Sequence, residues 1–155
     1  MSKKIAVFPG SFDPITLGHV DLVRRAAPIF DKIIVAVGIN TQKKYLFTLN
    51  QRLEWLNQVF EKDDNIEVGD YTGLTAIYCQ EIGAQYLLRG LRNSADFDYE
   101  KTISQLNNYM GNKPETIFII SKPEFSHISS TIVREIIIGK GEVDQFLPSE
   151  IKIEY

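Results

Sequence analysis

The run Gly10-Ser11-Phe12-Asp13-Pro14-Ile15-Thr16-Leu17-Gly18-His19 has the residue types and spacing that phosphate chemistry needs. It follows a short apolar stretch, Ile5 to Phe8, and precedes an amphipathic one that starts at Val20. A glycine-containing turn and a histidine therefore lie where a strand hands over to a helix. The first N–H groups of a helix have no intrahelical partner and carry partial positive charge, so that end attracts anions. Gly18 lets a phosphate approach the backbone, and His19 can donate a hydrogen bond to it. The Ser11 hydroxyl lies eight residues upstream. Asp13-Pro14 reads as structural: the aspartate bonds its own backbone and the proline presets the next dihedral.

Three further segments sit just past expected strands. Lys43 and Lys44 follow the second. Arg89-Gly90-Leu91-Arg92 follows the fourth, where guanidinium forks suit phosphate oxygens and Gly90 permits a sharp turn. The bland alternative there is a surface turn with arginines paired to Asp96 or Asp98. Those two acids suit the start of the next helix, whereas Glu100 lies further inside it and, taken alone, is a solvated residue. Phe125-Ser126-His127-Ile128-Ser129-Ser130-Thr131 precedes a fifth helix. Capping explains one hydroxyl there, but not three in a row with Arg134 one turn later. His127 reads as a loop residue, and Cys79 and Trp55 as core.

Several chemistries are absent from the pattern. Gly139-Lys140-Gly141 lacks the rest of a Walker phosphate loop, and no dinucleotide fingerprint, zinc spacing or nucleophile–base triad occurs. The chemistry is phosphate binding without a covalent nucleophile.

Short β-rich runs alternate with helical patterns along the chain. Ile5–Phe8, Lys32–Ile39, Ile66–Val68, Tyr86–Leu88 and Thr116–Ser121 read as strands, mostly continuously apolar, as parallel strands covered on both faces are. Helices are expected from Gly18 to Phe30 with a kink or early end at Pro28, from the Thr48/Gln51 capping box onward, and over Leu74–Ile82, Ala95–Met110 and Ser130–Ile138. A last short turn or helix follows Pro148. The implied fold is α/β: a Rossmann-like, parallel five-stranded sheet with helices on both faces, one domain over residues 1–155. Ligands bind such sheets beyond the carboxyl ends of the strands, which gathers Ser11, His19, Lys43, Arg89, Arg92 and Ser129 on one edge.

The chain has 155 residues, a hydrophobic fraction of 44% and a formal net charge of −3, so no nucleic-acid partner is expected from its electrostatics. One cysteine excludes an internal disulfide. The apolar runs are too short for a membrane span, and the start lacks the apolar core of a signal peptide, so a cytoplasmic protein is expected.

Thr16-x-Gly18-His19 and Ile128-Ser129-Ser130-Thr131-x-x-Arg134 resemble the two signatures of the nucleotidyltransferase superfamily. Gly10-Ser11-Phe12-Asp13-Pro14, Lys43 with Phe47 and Thr48, Arg89-Gly90-Leu91-Arg92, and Asp96-Phe97-x-Tyr99-Glu100 narrow the resemblance to the bacterial phosphopantetheine adenylyltransferases. The likeness runs from about residue 4 to Pro148. Ser11 stands where relatives often have Thr, Phe125 where they often have Trp, and Ile151–Tyr155 does not resemble the longer helical tail of some relatives.

The resemblance implies adenylyl transfer from ATP to 4′-phosphopantetheine, giving 3′-dephospho-coenzyme A and pyrophosphate, with magnesium and in a homohexamer. It implies that Ser11, His19 and Lys43 act at the reacting centre and that Lys43 and Arg89 hold the phosphopantetheine phosphate. Leu74 and Thr75 would contact the pantetheine arm. Ser11, Phe12, His19, Gly90, Leu91, Arg92, Glu100 and the stretch Phe125, Ser126, His127, Ile128, Ser129, Ser130 and Thr131 would line the ATP site. No side-chain metal ligand is implied. A phosphate monoester is already anionic, so in-line attack at the α-phosphorus needs no general base. Transfer to another small phosphate, such as nicotinate mononucleotide or glycerol 3-phosphate, and a nucleotide sensor without turnover are the competing expectations.

Overall fold

The apolar residues of strand β1 (Ile5–Gly10) alternate between two cores because successive side chains of a strand face opposite ways. Ala6 and Phe8 join the larger core, and Val7 the smaller one on the other face. The computed structural model describes residues 1–154. Its remaining strands are β2 (Lys32–Ile39), β3 (Ile66–Thr72), β4 (Tyr86–Leu91) and β5 (Glu115–Ile120). All pair in parallel, in the order β3-β2-β1-β4-β5. The helices are α1 (Leu17–Ala26), α2 (Leu49–Phe60), α3 (Thr75–Glu81), α4 (Ser94–Asn107) and α5 (Ser130–Ile138).

The chain winds outward from β1 to β3, then crosses back to lay β4 and β5 on the other side, so the order reverses between β1 and β4. The two strands part there. β1 pairs with β2 along its full length, from Ile5 with Lys32 to Gly10 with Val37. Against β4 it registers only Ala6 with Tyr86 and Val7 with Leu87. Pro9 has no N–H to give a ladder, and beyond Val7 the strands separate into a crevice. The crevice lies at the carboxyl ends of the strands, where open α/β sheets take their ligands.

The larger core holds Phe12, Ile15, Val23, Leu56, Val133 and, from the end of the chain, Ile151 and Ile153. The tail through residue 154 therefore packs without regular secondary structure, and Tyr155 lies outside the described residues. The smaller core contains Cys79 and Ala84. Burial pushes the Cys79 thiol up to about 11 and keeps it protonated.

The strands mostly run longer than their apolar runs suggest. β1 extends to Gly10, β3 to Thr72 and β4 to Leu91, while β5 starts and ends one residue early. Among the residues added at these ends, Pro9, Gly10, Tyr71, Arg89 and Gly90 face open clefts rather than core. As expected, α1 stops before Pro28, giving way to a 3₁₀ turn over Ala27–Ile29. The Thr48–Gln51 capping box forms, with Gln51 N–H donating to Thr48 Oγ1 at 3.2 Å and Thr48 N–H to Gln51 Oε1 at 3.0 Å. Leu74 caps α3 rather than opening it, α4 ends at Asn107 rather than Met110, and α5 has the expected bounds. A turn does follow Pro148, and a 3₁₀ turn over Asp144–Phe146 precedes it.

Candidate active site

Two clefts open from the crevice, on opposite sides of one ion pair. The first, of about 250 Å³, lies among the start of α1, the end of β4 and the segment before α5. Its walls include His19, Gly90, Arg92, Phe125, Ile128, Ser129 and Ser130. The second, of about 260 Å³, runs between the sheet and α4, past Ser11, Tyr71, Thr75, Ile103, Asn107 and Thr116. Pro9, Gly10, Arg89 and Glu100 line both.

The shared wall is built from a fork-to-fork pair. Arg89 Nε donates to Glu100 Oε2 at 2.8 Å and Nη2 to Oε1 at 2.6 Å, while Nη1 donates to the Pro9 carbonyl at 2.9 Å. This bidentate geometry is the strongest form of such a pair. Glu100 is therefore buried, at 8% exposure, not solvated as its sequence context suggests. Position 100 lies on the inner face of α4, and Arg89 lies within β4 rather than past it. Gly90 is likewise a strand residue and not a sharp turn. What matters is its lack of a side chain: a Cβ there would collide with the Leu22 side chain of α1.

His19 is oriented by the helix start itself. Its Nδ1 accepts from the Thr16 backbone N–H at 3.0 Å and lies 3.1 Å from Thr16 Oγ1. A backbone N–H can only donate, so Nδ1 is the unprotonated nitrogen and Nε2 carries the proton on the cleft side. Phe12 packs edge-on against the ring, with centroids 5.2 Å apart. Desolvation, with the nearby Arg92 and Arg89 charges, lowers its pKa from 6.5 to about 4. His19 is thus a neutral N–H donor across the physiological range. Because the folded value is the lower one, its contribution to stability is complete above pH 6.5 and lost as pH falls toward 4. Nitrogen-detected NMR should show one histidine fixed in the Nε2–H tautomer from pH 5.5 to 8. Conversion of that ring to imidazolium near pH 6.5 would contradict the assignment.

The loop from Ser11 to Pro14 is pinned from several elements. Asp13 is buried at 1% exposure, and its carboxylate accepts the Leu46 and Phe47 N–H groups, each at 2.9 Å. It therefore ties down the loop before α2 instead of bonding its own turn as expected, because a backbone 33 residues away supplies two aligned donors. Arg134 Nη1 donates to the Asp13 carbonyl at 2.9 Å, and Ser130 Oγ to the Pro14 carbonyl at 2.7 Å. Ser129 caps α5 by accepting the Ile132 N–H at 3.2 Å, and Thr131 accepts from Arg134 Nη2 at 3.2 Å. The three adjacent hydroxyls thus have three separate partners. Lys43 Nζ donates to Ser11 Oγ at 3.2 Å beside the second cleft.

Most residues singled out in the sequence meet here. Leu74, Leu91, Ser126, His127 and Thr131 line neither cleft, nor does Lys43, which reaches the second only through its hydrogen bond to Ser11. Arg92 pairs with Asp96, as the bland alternative has it, with Nε to Oδ2 at 3.2 Å, while no ion pair to Asp98 forms among the described residues. Arg52, buried at 3% exposure, went unnoticed in the sequence; it donates to the Ser11 carbonyl at 2.8 Å. A charged residue one turn before Leu56 on the apolar stripe of α2 was the available signal. Of the residues lining the second cleft from α4 and β5, Tyr99 and Glu100 stand in the Asp96–Glu100 motif, whereas Ile103, Ser104, Asn107 and Thr116 carry no signal of a site in the sequence.

A cytidylyltransferase-like family model matches residues 7–136. The chain is 50% identical over 149 residues to the phosphopantetheine adenylyltransferase of Cytophaga hutchinsonii, covering 96% of this chain and 99% of that one. It is 44% identical to the enzyme of that name from Flavobacterium psychrophilum, covering 96% and 98%. Among solved structures, a Vibrio parahaemolyticus protein assigned as a nicotinate-nucleotide adenylyltransferase superposes with a TM-score of 0.64 at 20% identity, covering 96% of each chain. A lipopolysaccharide core biosynthesis protein from Thermoplasma volcanium does so at 0.58 and 18%, covering 78% of this chain and 99% of that one. These two similarities show a shared fold. With near-complete coverage by relatives this similar, the chain belongs to the phosphopantetheine adenylyltransferase family.

Proposed function

We propose that this protein transfers the adenylyl group of ATP to the phosphate of 4′-phosphopantetheine, releasing pyrophosphate and 3′-dephospho-coenzyme A. The observation that carries the reading is the pair of clefts meeting at one wall of Pro9, Gly10, Arg89 and Glu100. Two substrates seated in them bring their reacting phosphates together at that wall. The nucleotide takes the cleft of His19, Arg92 and the Phe125–Ser130 segment. The acceptor takes the one beside Ser11 and Lys43, with its arm along Thr75 and α4.

The acceptor oxygen attacks the α-phosphorus in line, and the bond to the leaving pyrophosphate breaks. The acceptor phosphate is already an anion, so no side chain need remove a proton. The protein's work is positioning and stabilisation of charge at the α-phosphate. His19 donates its Nε2–H to an α-phosphate oxygen, Lys43 and Ser11 hold the incoming phosphate, and Arg89, its charge offset by Glu100, offers that phosphate the N–H groups left over from Glu100 and Pro9. Magnesium enters with ATP as part of the substrate. The acidic side chains of the first cleft, Asp96 and Glu100, are already paired with arginines, and no cluster of three or more acids, histidines or cysteines able to hold a metal occurs among the described residues. That donor set suits an ion held by phosphate oxygens and water.

The homohexamer is part of the same proposal. The number of subunits comes from the family resemblance; exposed apolar side chains on and beside α3 and α4, among them Leu74, Ile77, Tyr99, Leu106 and Tyr109, support association as such. A cytoplasmic location is likewise part of the proposal; no helix among the described residues is long and apolar enough to cross a membrane.

The test is pyrophosphate release from ATP and magnesium with and without 4′-phosphopantetheine. Release that requires the acceptor, with an adenylylated product by mass, is expected. Release with nicotinate mononucleotide or glycerol 3-phosphate only would reassign the acceptor, and ATP binding without release to any acceptor would favour a sensor.

A further inference from the structure

Two cations lie over the Tyr45 ring. The Arg52 guanidinium carbon is 4.1 Å from its centroid and Lys43 Nζ is 5.7 Å from it, both within cation–π range. The phenol is fixed at its other end: Tyr45 OH accepts the Asn40 N–H at 3.1 Å and reaches the Gly38 carbonyl at 3.5 Å, at the end of β2. Arg52 comes from the buried face of α2 and also donates to the Ser11 carbonyl at 2.8 Å. Its charge has no carboxylate within ion-pair distance among the described residues, and its Nε has no hydrogen-bond partner. A buried guanidinium without an acid is costly to keep. Its contacts lead to the two groups beside the second cleft: Ser11 directly, and Lys43 through Tyr45.

We propose that Arg52 and Tyr45 are positioning residues for the acceptor phosphate, holding Ser11 and Lys43 at the spacing one phosphate group bridges. Arg52 fixes the backbone of Ser11 from below. Tyr45, stacked on Arg52 and tied to the end of β2, gives the Lys43 ammonium a face to rest against. Lys43 is otherwise a long, exposed side chain on a loop, and restricting it before binding lowers the ordering cost of capturing the phosphate. Both cations also favour a doubly charged acceptor over a neutral one.

This inference rests on the reading of the second cleft as the acceptor site. Its test is steady-state kinetics of the full-length protein with MgATP and 4′-phosphopantetheine, alongside ATP affinity by calorimetry. Tyr45→Leu, on a partly exposed loop, should raise KM for phosphopantetheine about tenfold and lower kcat severalfold, with ATP affinity within twofold of the parent. Tyr45→Phe, which keeps the ring, should recover most of that loss. Arg52→Met should exceed Tyr45→Leu in the same direction, because it also frees the Ser11 carbonyl. An unchanged KM for phosphopantetheine in Tyr45→Leu would overturn the proposal, as would equal losses for ATP and acceptor in the folded variants. If the parent protein turns over a different acceptor, the acceptor assignment fails instead.

Discussion

Replacing His19 with alanine should lower kcat by roughly two to three decades, equivalent to about 3 to 4 kcal/mol for one preorganised donor, while circular dichroism shows that the fold survives. The size of the effect follows from preparation. The Thr16 N–H fixes the tautomer, the Phe12 ring holds the plane, and burial beside two arginines keeps the ring neutral, with a pKa of about 4. No reorganisation remains to be done when charge develops on the α-phosphate. The loss should fall on kcat more than on KM for ATP, because the donor matters most in the transition state. A near-normal kcat would remove His19 from the mechanism.

Arg89→Ala should fail in two separable ways. Activity drops because the residue lines both clefts, and KM for the acceptor should rise by roughly two decades. Stability drops by about 2 to 3 kcal/mol because the Glu100 carboxylate, with a side-chain exposure of 10%, loses its fork-to-fork partner. The two effects part in a double variant. Adding Glu100→Gln to Arg89→Ala removes the stranded charge, so urea unfolding should show at least half of the lost stability restored while activity remains low. Strictly additive losses in stability would show that the pair is not coupled as its geometry requires.

Much of this was legible in the chain because the signals are local. Alternating apolar strands and helices gave the sheet, Thr48 with Gln51 gave the start of α2, and Pro28 gave the end of α1. The strand-end rule gathers Ser11, His19, Lys43, Arg89, Arg92 and Ser129 on one edge, and all but Lys43 line the two clefts. Interactions that span the fold were not legible. Glu100 looks solvated until α4 turns it toward β4, where Arg89 waits inside the strand. Asp13 looks like a self-contained turn until the loop at Leu46 and Phe47 presents its N–H groups. Gly90 reads as a bend because its sequence does not reveal Leu22 packed across from it. Arg52 and Tyr45 fall on an apolar helix stripe and an exposed loop, and their relation to Ser11 and Lys43 exists only once β1 and α2 are adjacent.

The claim on which the account most depends is that the acceptor phosphate attacks the α-phosphorus directly, with side chains that bind and donate but never bond covalently. ATP made chiral at the α-phosphorus with sulfur and oxygen isotopes reports this in one turnover. A single in-line displacement predicts inversion of configuration in the adenylylated product. Retention would mean two displacements through an adenylylated side chain, and would contradict the roles given to His19, Lys43 and Ser11.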